Sequence, residues 1–211
     1  MNRLVFLGSN NLYSELAAEY INSLERDILV EYKNPSKFTN FPKEYDLGIA
    51  FMYSYLIPKE ELKKAIWINI HPAPLPKYGG RNIAYHAIKN KETKFGSTIH
   101  LMSEKFDQGD IISNSYFNIP KDTTAYELYD MSCKDGLKHI MKVLPKILNK
   151  DFKAKKQENP YYYKQQKINN FINLSESNKL LVQALYYPPY YPQIKIGNKV
   201  FDIILNKNKN D

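Results

Sequence analysis

The sequence predicts an α/β fold on a largely parallel sheet, with a small C-terminal arm that ends in a β-hairpin. Three observations carry this. Short apolar runs alternate with stretches of helical periodicity over residues 1–150, the pattern of successive βα units. Residues 71–82, with three prolines and two glycines, form a shaped loop after a strand rather than regular structure. From about residue 151 the composition turns to Lys, Gln, Asn and Tyr, with strong periodicity absent until Gln193.

In chain order, residues 3–7 read as a strand, Ser9, Asn10 and Asn11 as a polar turn, and 12–24 as a helix with apolar positions at helical spacing. Strands follow at 28–32 and 46–51. Pro58 fits the first turn of a short helix running to residue 64, where its missing N–H costs nothing. Residues 67–70 are the next strand. After the 71–82 loop, Ile83–Lys89 resumes as helix, 97–102 as strand and, past a break at Gly109, 111–119 as another strand. Thr124 and Glu127 have capping-box spacing and open a long helix to about residue 148. Gln193–Ile196 and residues 199–205 flank Gly197-Asn198, a two-residue hairpin turn, and 206–211 read as a disordered polar tail. The division is therefore a domain over 1–150 and an arm over 151–211.

A chain of 211 residues has room for one domain of about 150 residues with its own core, plus that appendage. The single cysteine, Cys133, cannot make an internal disulfide, and no Cys/His cluster has zinc spacing, so a reducing cytoplasm and no metal are expected. No signal-peptide pattern and no run of 18 apolar residues is seen, so a soluble, non-membrane protein is expected. The net charge of +8 invites a nucleic-acid reading, but only Arg3, Arg26 and Arg81 are arginines among 30 basic residues. Arginine is the residue suited to bidentate phosphate contacts, and the lysines are scattered. No nucleic-acid partner is expected. The field still favours small anionic ligands.

Asn69 and His71 lie two apart at the end of a strand, so both side chains leave one face of the sheet. The carboxyl ends of strands are where open α/β sheets bind ligands. Asp107 stands in the run Phe106-Asp107-Gln108-Gly109, and one helix and one strand separate it from His71, which suits a crossover returning it beside His71. Taken singly, the first pair also fits a buried, satisfied polar pair, and the second an ordinary Asp-Gly turn.

The run Asn69-Ile70-His71-Pro72-Ala73-Pro74-Leu75-Pro76 resembles the N-x-H-P-x-x-L-P motif of the folate-dependent formyltransferases. Gly96-Ser97-Thr98-Ile99-His100, then Phe106-Asp107-Gln108-Gly109-Asp110-Ile111-Ile112, resembles the second motif of that family, G-x-T-x-H followed by D-x-G-x-I-I. The resemblance covers residues 1–150. It implies a doubly wound, Rossmann-like domain in which Asn69, His71 and Asp107 act on 10-formyltetrahydrofolate as formyl donor. A substrate amine attacks the formyl carbonyl, and N–H groups of Asn69 and His71 stabilise the oxyanion, each such donor being worth on the order of 3 kcal/mol. Asp107 orients His71 and favours its imidazolium. The resemblance also implies a cis peptide at Leu75-Pro76 and places the pterin-binding loop at Met52, Tyr53, Ser54, Tyr55 and Leu56.

The arm run Ala184-Leu185-Tyr186-Tyr187-Pro188-Pro189-Tyr190-Tyr191-Pro192, with Tyr161-Tyr162-Tyr163-Lys164, is similar to the C-terminal part of sugar N-formyltransferases acting on dTDP-amino-dideoxyhexoses. Its tyrosines offer flat faces to a base, Tyr187 among them. Gly79-Gly80-Arg81-Asn82 offers backbone N–H groups and a guanidinium to a diphosphate, with Lys77, Ser9 and Asn10 as further contacts. The resemblance implies a nucleotide-sugar substrate and a role in surface polysaccharide (O-antigen) synthesis. The hairpin, with an exposed edge and tyrosine-rich flanks, suits pairing with a second subunit, so a homodimer is expected. Competing expectations are a glycinamide ribonucleotide or methionyl-tRNA formyltransferase, and a basic nucleic-acid-binding protein on an inert fold of this kind.

Overall fold

The structure, a computed structural model, describes residues 3–165, 168, 171–172, 179–196 and 198–205. Its strands are β1 (Arg3–Gly8), β2 (Asp27–Lys33), β3 (Leu47–Phe51), β4 (Ile66–His71), β5 (Gly79–Gly80), β6 (Lys94–Leu101) and β7 (Ile111–Asn118) in the first 150 residues. All but β5 join one sheet in the order β2-β1-β3-β4-β6-β7. Pairings from β2 through β4 are parallel, whereas β6 is antiparallel to both β4 and β7. β1 and β3 are buried almost throughout, which is why both are unbroken apolar runs rather than alternating ones. β2, at the sheet edge, alternates between exposed and half-buried residues.

The helices are α1 (Leu12–Asn22), α2 (Lys59–Lys64), α3 (Ile83–Lys89), α4 (Ala125–Leu148) and α5 (Lys179–Leu185). Ala17, Ala18 and Ile21 of α1 and Ile140, Leu144 and Ile147 of α4 close one face over Phe6, Ile49, Ile68 and Ile70. Val5, Leu7 and Trp67 leave the opposite face and meet Tyr45, Ile57 and Leu62 of α2. The sheet is thus covered on both sides, as a doubly wound domain requires. Asn11 caps α1, its side chain accepting from Ser14 N at 3.0 Å. The capping box of α4 is present: Glu127 Oε2 accepts from Thr124 N at 2.9 Å, and Thr124 Oγ1 from Glu127 N at 3.3 Å. A partly buried chain of hydrogen bonds pins α4 to β6 and β7. Ser97 Oγ donates to Asp135 Oδ2 at 2.7 Å, and His139 bridges Ser97 Oγ at 3.0 Å and Ser113 Oγ at 2.8 Å.

Several expectations need correcting. Asp107 does not return to His71 by a parallel crossover. It lies in the loop between the antiparallel strands β6 and β7, because β6 runs back along β4 with Asn69 opposite His100. Pro58 caps α2 instead of entering its first turn. The 71–82 loop contains a short strand, since Gly79 and Gly80 pair in parallel with β8 (Tyr162–Tyr163) of the arm. The arm also holds α5, whose buried Ala184 and Leu185 repeat at helical spacing with Leu180 and Leu181. Before α5 comes β9 (Phe171–Ile172) and after it β10 (Gln193–Ile196) and β11 (Lys199–Asp202); the three form one sheet, in which β10 and β11 are the expected antiparallel hairpin. Gly197 of its turn and the 206–211 tail lie outside the described residues. Among the described residues, no helix is long and apolar enough to cross a membrane.

Candidate active site

β4 alternates its side chains, so Ile68 and Ile70 enter the core under α1 and α4 while Asn69 and His71 leave the other face. The antiparallel ladder sets His100 beside Asn69, with Nδ2 of Asn69 3.1 Å from Nε2 of His100. His100 Nδ1 is 2.7 Å from the Leu101 carbonyl, which only accepts, so Nδ1 carries the hydrogen. Nε2 is then the acceptor, and Asn69 donates to it. One amide N–H is fixed in this way and the second is left to face the cavity. Sequence reasoning quoted His100 within a motif but gave it no role; only the strand register reveals its partner.

Burial pulls the His100 imidazole down to about 4 from its usual 6.5, against the opposing effect of the Asp107 carboxylate. A neutral ring is what accepting from Asn69 requires. His139 and His86 are also lowered, burial again being the first cause. All three act on stability with one sign. Below the unfolded value near 6.5 the unfolded chain takes up protons that the folded chain refuses, so stability declines as pH falls from 6.5 toward 4. His100 alone is expected to contribute a loss on the order of 2 kcal/mol by pH 5. Thermal melts from pH 7.5 to 5 check this: the melting temperature should fall, and fall less steeply in His100→Gln. Equal slopes in the two proteins would remove His100 as the cause.

His71 is buried, and its Nε2 lies 2.7 Å from the Tyr78 carbonyl, to which it donates. Its Nδ1 faces Asp107 Oδ1 at 3.5 Å. The expectation that an imidazole N–H serves an oxyanion is thereby narrowed. The Nε2–H is committed to Tyr78, and only a proton on Nδ1 can serve the cavity. Asp107 Oδ2 accepts from Gly80 N at 2.8 Å, and its Oδ1 lies 3.9 Å from His100 Nε2. Its backbone is left-handed, with φ 54°. Gly109 closes the turn where no side chain fits, since a Cβ there would sit 1.8 Å from the Leu101 carbonyl oxygen.

These groups open into one cavity of about 760 Å³, within the range of small-molecule sites. Of the sequence candidates, Asn69, His71, Asp107, Met52, Tyr53, Ser54, Arg81 and Tyr187 line it. Met52 has a left-handed backbone, φ 61°, which turns the chain at the cavity wall. Tyr55, Leu56, Ser9, Asn10 and Lys77 are not among the lining residues. Tyr55 packs its ring 5.5 Å from Tyr53, and Leu56 is exposed. Ser9 is spent on the start of α1, its N–H donating to Ser14 Oγ at 3.2 Å, and Asn10 is exposed. The Lys77 ammonium is held by Glu92.

The Gly79-Gly80-Arg81 amides do not form an anion cradle. Their N–H groups go to Tyr161 O, Asp107 Oδ2 and Tyr163 O, at 3.2, 2.8 and 2.8 Å. What this stretch offers the cavity is the Arg81 guanidinium, which makes no ion pair among the described residues. Tyr85, Tyr129, Tyr162 and Tyr190 line the cavity with Tyr187 and were not anticipated as individuals. Tyr85 and Tyr129 sit on helices at ordinary spacing and give no local signal. Tyr187 packs against Tyr126 and Tyr129 at 5.6 and 5.9 Å, and burial pushes its phenol up to about 12, so it stays neutral. Both Leu75-Pro76, as the resemblance implied, and Pro188-Pro189 are cis.

Residues 31–144 match the model of the family described as formyl transferase. The chain belongs to that family. Its similarity to a GDP-perosamine N-formyltransferase of Brucella melitensis is 29% identity over 178 residues, covering 80% of this chain and 68% of the relative. A methionyl-tRNA formyltransferase of Clostridium acetobutylicum is 32% identical over 135 residues, covering 62% of this formyltransferase-family chain but only 44% of the relative. The N-formyltransferase from Helicobacter canadensis, solved with folinic acid and dTDP-3-aminofucose, superposes with a TM-score of 0.78 at 21% identity, covering 94% of this chain and 85% of that one. The fold of this family member therefore extends through the arm.

Proposed function

We propose that this chain transfers the formyl group of 10-formyltetrahydrofolate to the amine of a nucleotide-linked amino-dideoxy sugar. A dTDP sugar is the first expectation, dTDP-4-amino-4,6-dideoxyglucose before its 3-amino counterpart, for a surface polysaccharide such as O-antigen. The observation that carries the reading is one cavity with Asn69, His71 and Asp107 in its wall, together with Arg81 and a tyrosine-rich end. A folate fits it by size and by its wall at Met52, Tyr53 and Ser54, which offers apolar surface with backbone groups at a sharp turn. When bound, it supplies the activated formyl carbon.

The chain's own groups then divide the work. Asn69, oriented by His100, presents its second N–H to the formyl oxygen as negative charge grows there. His71 Nδ1 and Asp107 Oδ1 face one another, take up the proton that the amine releases as its bond to the formyl carbon forms, and return it to the folate nitrogen whose bond to that carbon breaks. The Tyr78 carbonyl and the Gly80 N–H keep the two rigid while this happens. Arg81 meets the diphosphate, and Tyr187 with Tyr129 and Tyr85 gives the base a stacking surface. Subunits pair through the arm sheet, on which Ile196, Val200 and Phe201 are exposed. A sedimentation run showing only monomer at micromolar concentration would remove that pairing.

The similarity to a tRNA enzyme gives the competing reading its support, although the chain spans less than half of that relative. One assay separates them. Purified protein with 10-formyltetrahydrofolate is offered dTDP- and GDP-linked amino sugars, glycinamide ribonucleotide and methionyl-tRNA. The expected result is turnover of a nucleotide amino sugar alone, with Arg81→Ala raising its KM at least about tenfold and leaving the folate KM unchanged. Turnover of methionyl-tRNA or glycinamide ribonucleotide instead would overturn the sugar assignment.

A further inference from the structure

The arm reaches the catalytic turn through one side chain. Gln157, fifty residues beyond Asp107, places Nε2 2.9 Å from the Asp107 carbonyl and 2.7 Å from the Gly109 carbonyl. Both partners are carbonyls and can only accept, so the amide must present its NH2 end to them and both of its N–H groups are committed. The side chain is buried, 7% exposed. Its Oε1 is also buried and has no hydrogen-bond partner among the described residues. An amide buried with one end unsatisfied is costly, so its donor end must return something to the molecule.

What the two N–H groups hold is the Asp107-Gln108-Gly109 turn. Asp107 is a non-glycine residue at φ 54°, a backbone state that persists where the surroundings over-determine it. Tying the carbonyls of residues 107 and 109 to one nitrogen fixes that turn from behind. The carboxylate is left to be aimed in front, with Oδ2 on Gly80 N and Oδ1 toward His71. The flanking arm residues brace the same place. Lys155 exchanges two backbone hydrogen bonds with Ile111, both 2.8 Å, and Tyr162 and Tyr163 pair with Gly79 and Gly80.

We propose that Gln157 is a positioning residue for Asp107, so the first stretch of the arm belongs to the catalytic machinery as well as to nucleotide or subunit contact. The inference rests on the reading of Asp107 as catalytic. A residue that only stabilised the fold would lower the melting temperature and leave the chemical step alone. A residue that positions the carboxylate acts on kcat while both KM values stay where they were, because a displacement near 1 Å costs about 10²-fold in rate.

The test uses the full chain with Gln157→Met, which keeps the length of the side chain but has no N–H, and Gln157→Glu, which keeps its shape and sets an acceptor against two carbonyls. Steady-state kinetics with 10-formyltetrahydrofolate and dTDP-4-amino-4,6-dideoxyglucose should show kcat reduced about 10²-fold, both KM values within about twofold, and melting within a few degrees of the parent. Unchanged kcat in both variants, beside an inactive Asp107→Asn control, overturns the proposal. So does failure of both variants to fold, since Gln157 would then be holding the fold and not the aim of the carboxylate. Turnover retained by Asp107→Asn removes the catalytic reading itself, and this proposal with it. A crystal structure of Gln157→Met decides independently of substrate: the Asp107 carboxylate should leave His71, and an unmoved carboxylate overturns the inference.

Discussion

Alanine at Asn69, His71 or Asp107 is expected to reduce formyl transfer by at least about 10³-fold each while the protein stays folded. Asn69→Ala removes the donor that the proposed mechanism aims at the formyl oxygen and also leaves His100 Nε2 without its hydrogen bond. His71→Ala removes the proposed proton acceptor at Nδ1 and releases the Tyr78 carbonyl, and Asp107→Ala releases Gly80 N. The three are tied to one another through His100, Tyr78 and Gly80, so their losses should not add. A double variant such as Asn69→Ala with Asp107→Ala should be little slower than the worse single one, as for groups that act as a unit. Asp107→Asn sharpens the test by keeping the volume and removing only the charge. Single-turnover rates with each variant's melting temperature provide the check. Near-normal turnover in any one of them would strike that residue from the set.

Gly80→Ala is expected to damage both stability and turnover, although it adds only one methyl group. Gly80 has φ 96°, outside the conformations that a side chain tolerates, and a Cβ there would stand 2.2 Å from the Tyr163 carbonyl oxygen. Neither neighbour can yield cheaply, because the clash is with backbone and Tyr163 is stacked against both Tyr78 and His86. The β5–β8 pairing must open, and the Gly80 N–H, 2.8 Å from Asp107 Oδ2, moves with it. A stability loss of about 2–3 kcal/mol is expected, or about 5–10 °C in melting temperature, with turnover down about 10²-fold. Melting by circular dichroism and kcat on the same preparation check both parts. A variant with native melting and native turnover would show that this glycine is not needed.

Much of the sheet was legible because burial writes itself into the sequence. β1 and β3 are unbroken apolar runs, α3 matches its expected residues, and the capping box marked the start of α4. The direction of β6 was not legible, since a strand buried on both faces reads alike whether it lies parallel or antiparallel to its neighbour. The Gly79–Gly80 strand was hidden for a related reason. Two glycines become a strand only when Tyr162 and Tyr163 arrive from far along the chain. In the site, Asn69, His71 and Asp107 stood in motifs and could be named. His100 needed the register of β4 and β6 before its bond to Asn69 could be seen. Gln157 gave no signal at all, being one polar residue in a lysine-rich stretch. Lys77, Ser9 and Asn10 looked suited to a diphosphate by residue type, but type says nothing about a neighbour such as Glu92 that takes up the charge.

The contacts of residues 155–163 with the Asp107–Gly109 turn and with Gly79–Gly80 also bear on the order of events in the newborn chain. The parallel half of the sheet joins strands close in sequence, whereas the β5–β8 pairing closes a loop of some eighty residues, for which the entropic cost is met late. The domain can therefore acquire its core on the ribosome while Asp107 still lacks its brace. In the finished protein the same stretch is joined to the sheet and its loops by few bonds, among them those of Lys155, Gln157, Tyr162 and Tyr163. Were it to come away, the Asp107 turn would lose these bonds while the six-stranded sheet kept its own.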